Sequence, residues 1–182
     1  FFSALCREAA DISQELLACV VEGVQRGKLR FSDLFPWKKR KDCNELYLPR
    51  PVMNISHDEC GKTLSYEEVR EQSAERKKEK KRSFIRASEM ESYLQGRDIS
   101  AQPAFGEEEL RTQYNARERR PYGIGAYHFM PDAGLYFILS GSEELAERLE
   151  SLIKLLGMAG IGGKRSSGFG KYIFEDDPLE LS

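Results

Sequence analysis

The chain predicts an α+β fold, a ferredoxin-like (RRM-like) domain carrying a large insertion, and three observations lead there. An apolar stripe at spacings of three and four (Leu5, Ala9, Ile12, Leu16, Cys19, Val20, Gly23) marks a first helix over residues 3–25, ended by Gly27. A second stripe, Leu145, Leu149, Leu152 and Leu156, marks a helix near the C-terminus. Short β-rich runs flank each helix. The order helix, strand, insertion, strand hairpin, helix, glycine loop, strand is that of a βαββαβ unit whose first strand precedes Phe1.

The elements follow in order. Residues 29–34 (LRFSDL) alternate like a half-buried strand, and Phe35-Pro36-Trp37 breaks it. Tyr47–Pro51 is held extended by its two prolines. Residues 1–52 thus form the first helix and strand of the domain, 53–113 an insertion, and 114–182 its remainder. Within the insertion, Ser65 and Glu68 form a capping box that opens a charged helix to about residue 80; Ser88 and Glu91 form another, for a short helix stopped by Gly96. Phe84-Ile85 signals a short strand. Residues 96–109 show no period and read as a mobile loop. Gly123–Met130 and Leu135–Leu139 around Pro131-Asp-Ala-Gly134 read as a hairpin. Ser142, followed by Glu143 and Glu144, suits a helix N-terminus, and Lys171–Phe174 reads as the last strand.

The stretch around which these elements are arranged is GMAGIGGKRSSGFG, residues 157–170, in which six of fourteen residues are glycine. Glycine reaches φ > 0 and lets another backbone approach, so Gly160, Gly162, Gly163, Gly168 and Gly170 describe a main chain that is itself a binding surface. Lys164, Arg165, Ser166 and Ser167 at its crest, with Lys171 after it, are phosphate partners, and Phe169 stands between two glycines. A Walker A loop is excluded because Gly163-Lys164 is followed by Arg165. A dinucleotide fingerprint is excluded because the loop follows a helix rather than a strand.

The run Gly160–Gly170 resembles the glycine-rich loop of the RAMP superfamily, RNA-binding subunits of CRISPR-Cas effector complexes. Phe2–Cys6 (FSALC), Leu29–Phe35 (LRFSDLF) and Tyr47–Pro51 (YLPRP) narrow the resemblance to the type III-A (Csm) subunit that holds the 5′ tag of the guide RNA. The resemblance implies a strand before the first helix, a second RAMP domain after the loop, and assembly with crRNA, the large polymerase-like subunit and the first backbone RAMP subunit. It also implies that this chain is part of a longer polypeptide.

Net charge is −2, with 40% hydrophobic and 32% charged residues. That average alone would not suggest nucleic acid, but cations cluster at Lys28–Lys41, Arg76–Arg82 and Arg117–Arg120, and local fields govern an RNA groove. No apolar run approaches the length of a membrane span, and four unpaired cysteines fit a reduced, cytoplasmic protein. Cys6 and Cys19 read as core residues. Cys43, His57 and Cys60 lack a CxxC pair and a fourth ligand, so neither a metal nor another cofactor is expected.

No catalytic signature emerges. His128 sits in a strand pattern as a sheet-facing or packed residue, His57 lies in an unpatterned stretch, and the acidic residues follow helix surfaces. Guide-RNA-processing endoribonucleases of the same superfamily commonly carry a histidine in or near the first helix, and residues 3–25 have none. The expectation is a non-catalytic subunit, against the alternatives of such an endoribonuclease or an interaction-only subunit. Two further RNA contacts are candidates. Trp37 with Lys38 and Lys39 either stacks on a base beside its phosphate or packs under the sheet edge. Asn115, Arg117 and Arg119 fall on alternate positions of an extended segment and would face one groove, unless they belong to a solvated stretch tied to Glu107–Glu109.

Overall fold

In the computed structural model, residues 1–41, 43–53, 65–67, 69, 70, 73, 74, 77, 81–115 and 117–175 are described. They divide into two compact units, residues 1–34 with 137–182 and residues 35–136, so the segment 53–113 falls wholly within the second.

The first unit is helical. Helices α1 (Phe2–Ile12) and α2 (Gln14–Gln25) replace the single helix expected over residues 3–25. Ser13 breaks the run: its backbone is extended (φ −160°, ψ 149°) and its Oγ accepts from the Leu16 amide at 3.0 Å, an N-cap that starts α2 afresh. The stripe slips there, leaving Ile12 half exposed. Strand β1 is only Arg30–Phe31, and it pairs antiparallel with β8 (Leu139–Ser140). Helix α4 (Glu143–Ala159) follows, with Ser142 at its N-cap position but no side-chain cap bond. Leu149, Leu152, Ile153 and Leu156 of α4 are buried with Leu5, Ala9, Val20 and Leu29, and Phe1, Phe31, Phe137 and Tyr172 pack against them. Each such aliphatic side chain contributes about 1.5–3 kcal/mol by leaving water. Cys6 lies against this cluster, and burial raises its thiol pKa.

The second unit is built on a four-stranded antiparallel sheet in the order β4-β3-β2-β7: β2 is Phe35–Arg40, β3 Cys43–Pro49, β4 Phe84–Arg86 and β7 Ala133–Tyr136. Phe35-Pro36-Trp37 therefore starts a strand rather than ending one. Proline is tolerated because pairing with β3 begins only at Trp37, leaving Pro36 a neighbour on the β7 side alone. Tyr47, Phe105 and Ala133 form a small core with Phe84 and Met130. A 3₁₀ turn (Ala87–Glu89) and helix α3 (Met90–Leu94) come after β4. Ser88 caps nothing, since Glu89 holds the N-cap position without a side-chain bond; Gly96, at φ +70°, ends α3 as expected. The box at Ser65 cannot be followed, because Glu68 lies outside the described residues.

Residues 96–109 are not a free loop. Gln102 Oε1 accepts from the Ser83 and Phe84 amides at 3.0 Å, Phe105 is buried, and Gly106 opens strand β5 (Gly106–Asn115). β5 pairs along its whole length with β6 (Arg120–Phe129), from Gly106 opposite Phe129 to Asn115 opposite Arg120. This corrects the expected hairpin around Pro131–Gly134: β6 turns back onto β5, whereas β7 pairs with β2. The fold is mixed α/β with antiparallel pairing throughout its described strands.

Candidate nucleic-acid interface

The glycine stretch leaves α4 at Gly160, whose φ of +85° stops the helix while its amide still reaches Leu156 O at 2.7 Å. Its two arms then meet backbone to backbone. Ile161 N donates to Gly170 O at 2.9 Å, and a Cβ at Gly170 (φ +74°) would stand 1.9 Å from Ile161 O. A Cβ at Gly160 would stand 2.8 Å from Phe169 O. These two glycines make the neck of the loop.

The crest is different. Side chains added at Gly162, Gly163 or Gly168 would meet nothing within 4 Å, so these glycines leave space open rather than fill it. Arg165–Ser167 form a 3₁₀ turn closed by Gly168 in the left-handed region (φ +83°), with Ser167 N and Phe169 N both donating to Lys164 O. Lys164, Ser166, Ser167 and Lys171 are exposed; Arg165 and Phe169 are half-buried. The result is a narrow neck carrying an open crest with Lys164, Arg165 and Lys171 beside it, a placement of cations suited to an anion.

Past the neck, the expected strand over Lys171–Phe174 is absent. Tyr172 N donates to Gly157 O at 3.2 Å and its hydroxyl to Ile153 O at 2.9 Å, so the segment lies along α4 instead of joining a sheet. Burial, and secondarily the Glu8 carboxylate, push the Tyr172 hydroxyl up to about 12. Close contact fixes the helix side too, since a Cβ at Gly157 would fall 2.7 Å from Tyr172 O.

The other two candidate groups lie in the second unit, on different elements. Trp37 is half-buried on β2 with its indole over Gly134, where a Cβ would come within 2.8 Å of Nε1. Lys38 is engaged internally: Nζ donates to Ala104 O at 2.8 Å and lies 3.7 Å from Asp132 Oδ2. Lys39 is exposed. Asn115, Arg117 and Arg119 do not share an extended segment. Asn115 ends β5 and its Oδ1 accepts from the Arg117 and Glu118 amides at 3.0 and 3.3 Å, folding the chain into the β5–β6 turn. Arg119 sits at φ +50°, so the arginines occupy a hairpin tip.

Three residues outside the expected set gather on β5–β6. Glu109 Oε2 lies 2.9 Å from both Arg111 Nε and His128 Nε2, all three side chains about half exposed. His128 is thus neither packed nor sheet-buried. The Arg111 hydrogen bond is the main cause of the lowered Glu109 pKa. The available signal was the alternation Leu110-Arg111-Thr112-Gln113-Tyr114-Asn115, which begins only after the three consecutive glutamates 107–109. His57 and Cys60 lie outside the described residues; among those described, no group of three or more His, Cys, Asp or Glu is placed to hold a metal. Nor, among them, is any helix long and apolar enough to cross a membrane.

In an alignment of 183 positions that covers all of this chain, it is 28% identical to the CRISPR system Cms protein Csm4 of Streptococcus thermophilus. A Csm4 of Mycobacterium tuberculosis is 30% identical over 181 residues, 94% of this chain. The chain is similar in sequence to the CRISPR system proteins named Csm4. It spans about half the length of these Csm4 relatives, 56% and 53%. The crystal structure of a Csm1-Csm4 cassette in complex with cA4 superposes with a TM-score of 0.61 at 21% identity, over 86% of this chain and 57% of that one, which shows a shared fold. No family model matches.

Proposed function

We propose that this chain is part of a non-catalytic, cytoplasmic RNA-binding subunit of a type III-A ribonucleoprotein in antiviral defence. It holds the 5′ repeat-derived tag of crRNA and joins the large polymerase-like subunit to the first backbone subunit. The observation that carries this reading is the open crest at Gly162, Gly163 and Gly168, where a Cβ would meet nothing within 4 Å and where Lys164, Arg165 and Lys171 bring cations that suit an RNA phosphate. The Csm4 similarity adds the partners, and the Csm1-Csm4 cassette is a precedent for the first of them. A ferredoxin-like RAMP architecture is the finer fold reading, with this chain supplying one domain's share.

A non-catalytic role is favoured by how the described histidine is used. In-line displacement at phosphorus needs acid and base on opposite sides of the reacting atom. His128 and Arg111 instead converge on one oxygen of Glu109. Arg117, Arg119 and Lys39, at hairpin positions of the second unit, supply further phosphate contacts; the packing of Trp37 on Gly134 favours its structural role over stacking.

The test is the Lys164→Ala/Arg165→Ala pair in the full-length protein with its accompanying subunits. Each lost phosphate contact should lower the salt slope of single-stranded RNA binding by about 0.7, with affinity falling equally for every tag sequence. Unchanged affinity and slope would refute the loop's assignment.

A further inference from the structure

The long β5–β6 ribbon carries a second constellation. By strand alternation, Glu107, Glu109, Arg111, Gln113 and Asn115 share one face with Arg120, Tyr122, Ile124, Ala126 and His128 of the paired strand. On that face Glu109 and Arg111 are neighbours along β5, and His128 stands opposite Glu107, diagonal to Glu109. Two donors from different strands meet on a single acceptor: Arg111 Nε and His128 Nε2 each lie 2.9 Å from Glu109 Oε2, and Arg111 Nη2 lies 3.4 Å from His128 Nε2. A guanidinium and an imidazole converging on one oxyanion can serve a phosphodiester oxygen as well as a carboxylate. Here a carboxylate of the chain itself fills that place.

We propose that Arg111 and His128 form a binding site for one RNA phosphate and that Glu109 occupies this site as an internal competitor until RNA displaces it. The face gives the site a direction. From Arg111 toward the turn it carries Gln113 hydrogen-bonded to Tyr122, then Asn115 opposite Arg120, with no carboxylate over a run of about 13 Å. The acids, Glu107 and Glu109, stand only at its inner end. A strand of RNA following the polar run from the tip would therefore reach Arg111 last, at the one point where an anion is already bound. The surface location makes exchange cheap, because half-exposed ion pairs are held by no more than about 1 kcal/mol. Glu109 thus sets a threshold for engagement of the inner end rather than blocking it.

This inference rests on the RNA-binding reading above, and its test separates the two. Full-length protein with its accompanying subunits would be titrated with a 5′-tag RNA oligonucleotide across a salt series. The variants are Glu109→Gln, Glu109→Gln/Arg111→Gln, and Glu108→Gln, which removes the same charge from the opposite face. Glu109→Gln should raise affinity about two- to fivefold, the scale of one exposed ion pair, and steepen the salt slope by as much as about 0.7, because the Arg111 phosphate contact is only partly made while Glu109 competes for it. Adding Arg111→Gln should cancel both changes, and Glu108→Gln should leave the slope alone. An equal gain from Glu108→Gln would mean general charge repulsion and overturn the proposal, as would an unchanged slope for Glu109→Gln. If those results came while Lys164→Ala/Arg165→Ala still weakened binding, only the ribbon site would fall. If neither the loop pair nor Glu109→Gln altered RNA binding, both readings would fall.

Discussion

Replacing Gly170 by alanine should damage the fold, while replacing Gly163 should damage only the function. Gly170 sits at φ +74°, where a β-carbon costs roughly 1–2 kcal/mol against the following carbonyl. That carbon would also lie 1.9 Å from Ile161 O, a backbone atom that cannot rotate away, so the Ile161 N–Gly170 O bond of the neck must open. Losing it adds about 1 kcal/mol, for a total of about 2–3 kcal/mol. Gly163 has no positive φ and nothing within 4 Å of its would-be Cβ, so its alanine variant should stay within about 0.5 kcal/mol of the original. Urea unfolding of the full-length protein measures both, and RNA titration then reports on Gly163→Ala, whose methyl group narrows the crest. Equal stabilities for the two variants would refute the division of the loop into neck and crest.

Alkaline pH should destabilise the first unit through Tyr172. Its folded pKa, near 12, lies above the ordinary value of 10, so its contribution is complete below pH 10 and is lost as pH rises toward 12. Allowing for its partial exposure this amounts to about 1–2 kcal/mol; Tyr172→Phe should flatten that alkaline limb in a pH series of thermal melts. Ser13→Ala removes the cap on the Leu16 amide and should cost about 1 kcal/mol by denaturant titration.

Sequence periodicity located what depends on side-chain burial. The stripe Leu149, Leu152 and Leu156 is buried as expected, and the glycine loop stands where its composition put it, directly after α4. What periodicity could not register was competition between local bonds and the helical pattern. Ser13 keeps the apolar spacing on both sides, so nothing in the stripe reveals that its hydroxyl ends one helix and begins another. Strand pairing was harder still. Gly123–Met130 is β-rich on its own account, but its choice of β5 over the nearer β7 depends on the Asx turn at Asn115 and on ten matched positions. Lys171–Phe174 has strand-like residues, yet Tyr172 finds its partners on α4 and no ladder forms. Among the candidate groups, residue types sufficed to place the glycine loop as a turn-forming segment after α4. The tip arginines and the Glu109–Arg111–His128 group needed the register.

The β5–β6 ribbon has a kinetic consequence. The ribbon has ten paired positions per strand, with side chains exposed along both faces, and among the described residues no third strand joins it. A two-stranded ribbon is only marginally stable by itself, so the rungs farthest from its anchored end should open and re-form fastest. Each opened rung would enlarge the volume swept by Arg117, Arg119 and Arg120, and if the proposed RNA contact is made there, each re-closing would draw the bound strand inward along the ribbon. Such fly-casting raises the rate of encounter without adding a single contact to the final complex. Substitutions that stiffen the turn would then slow association while leaving dissociation nearly unchanged.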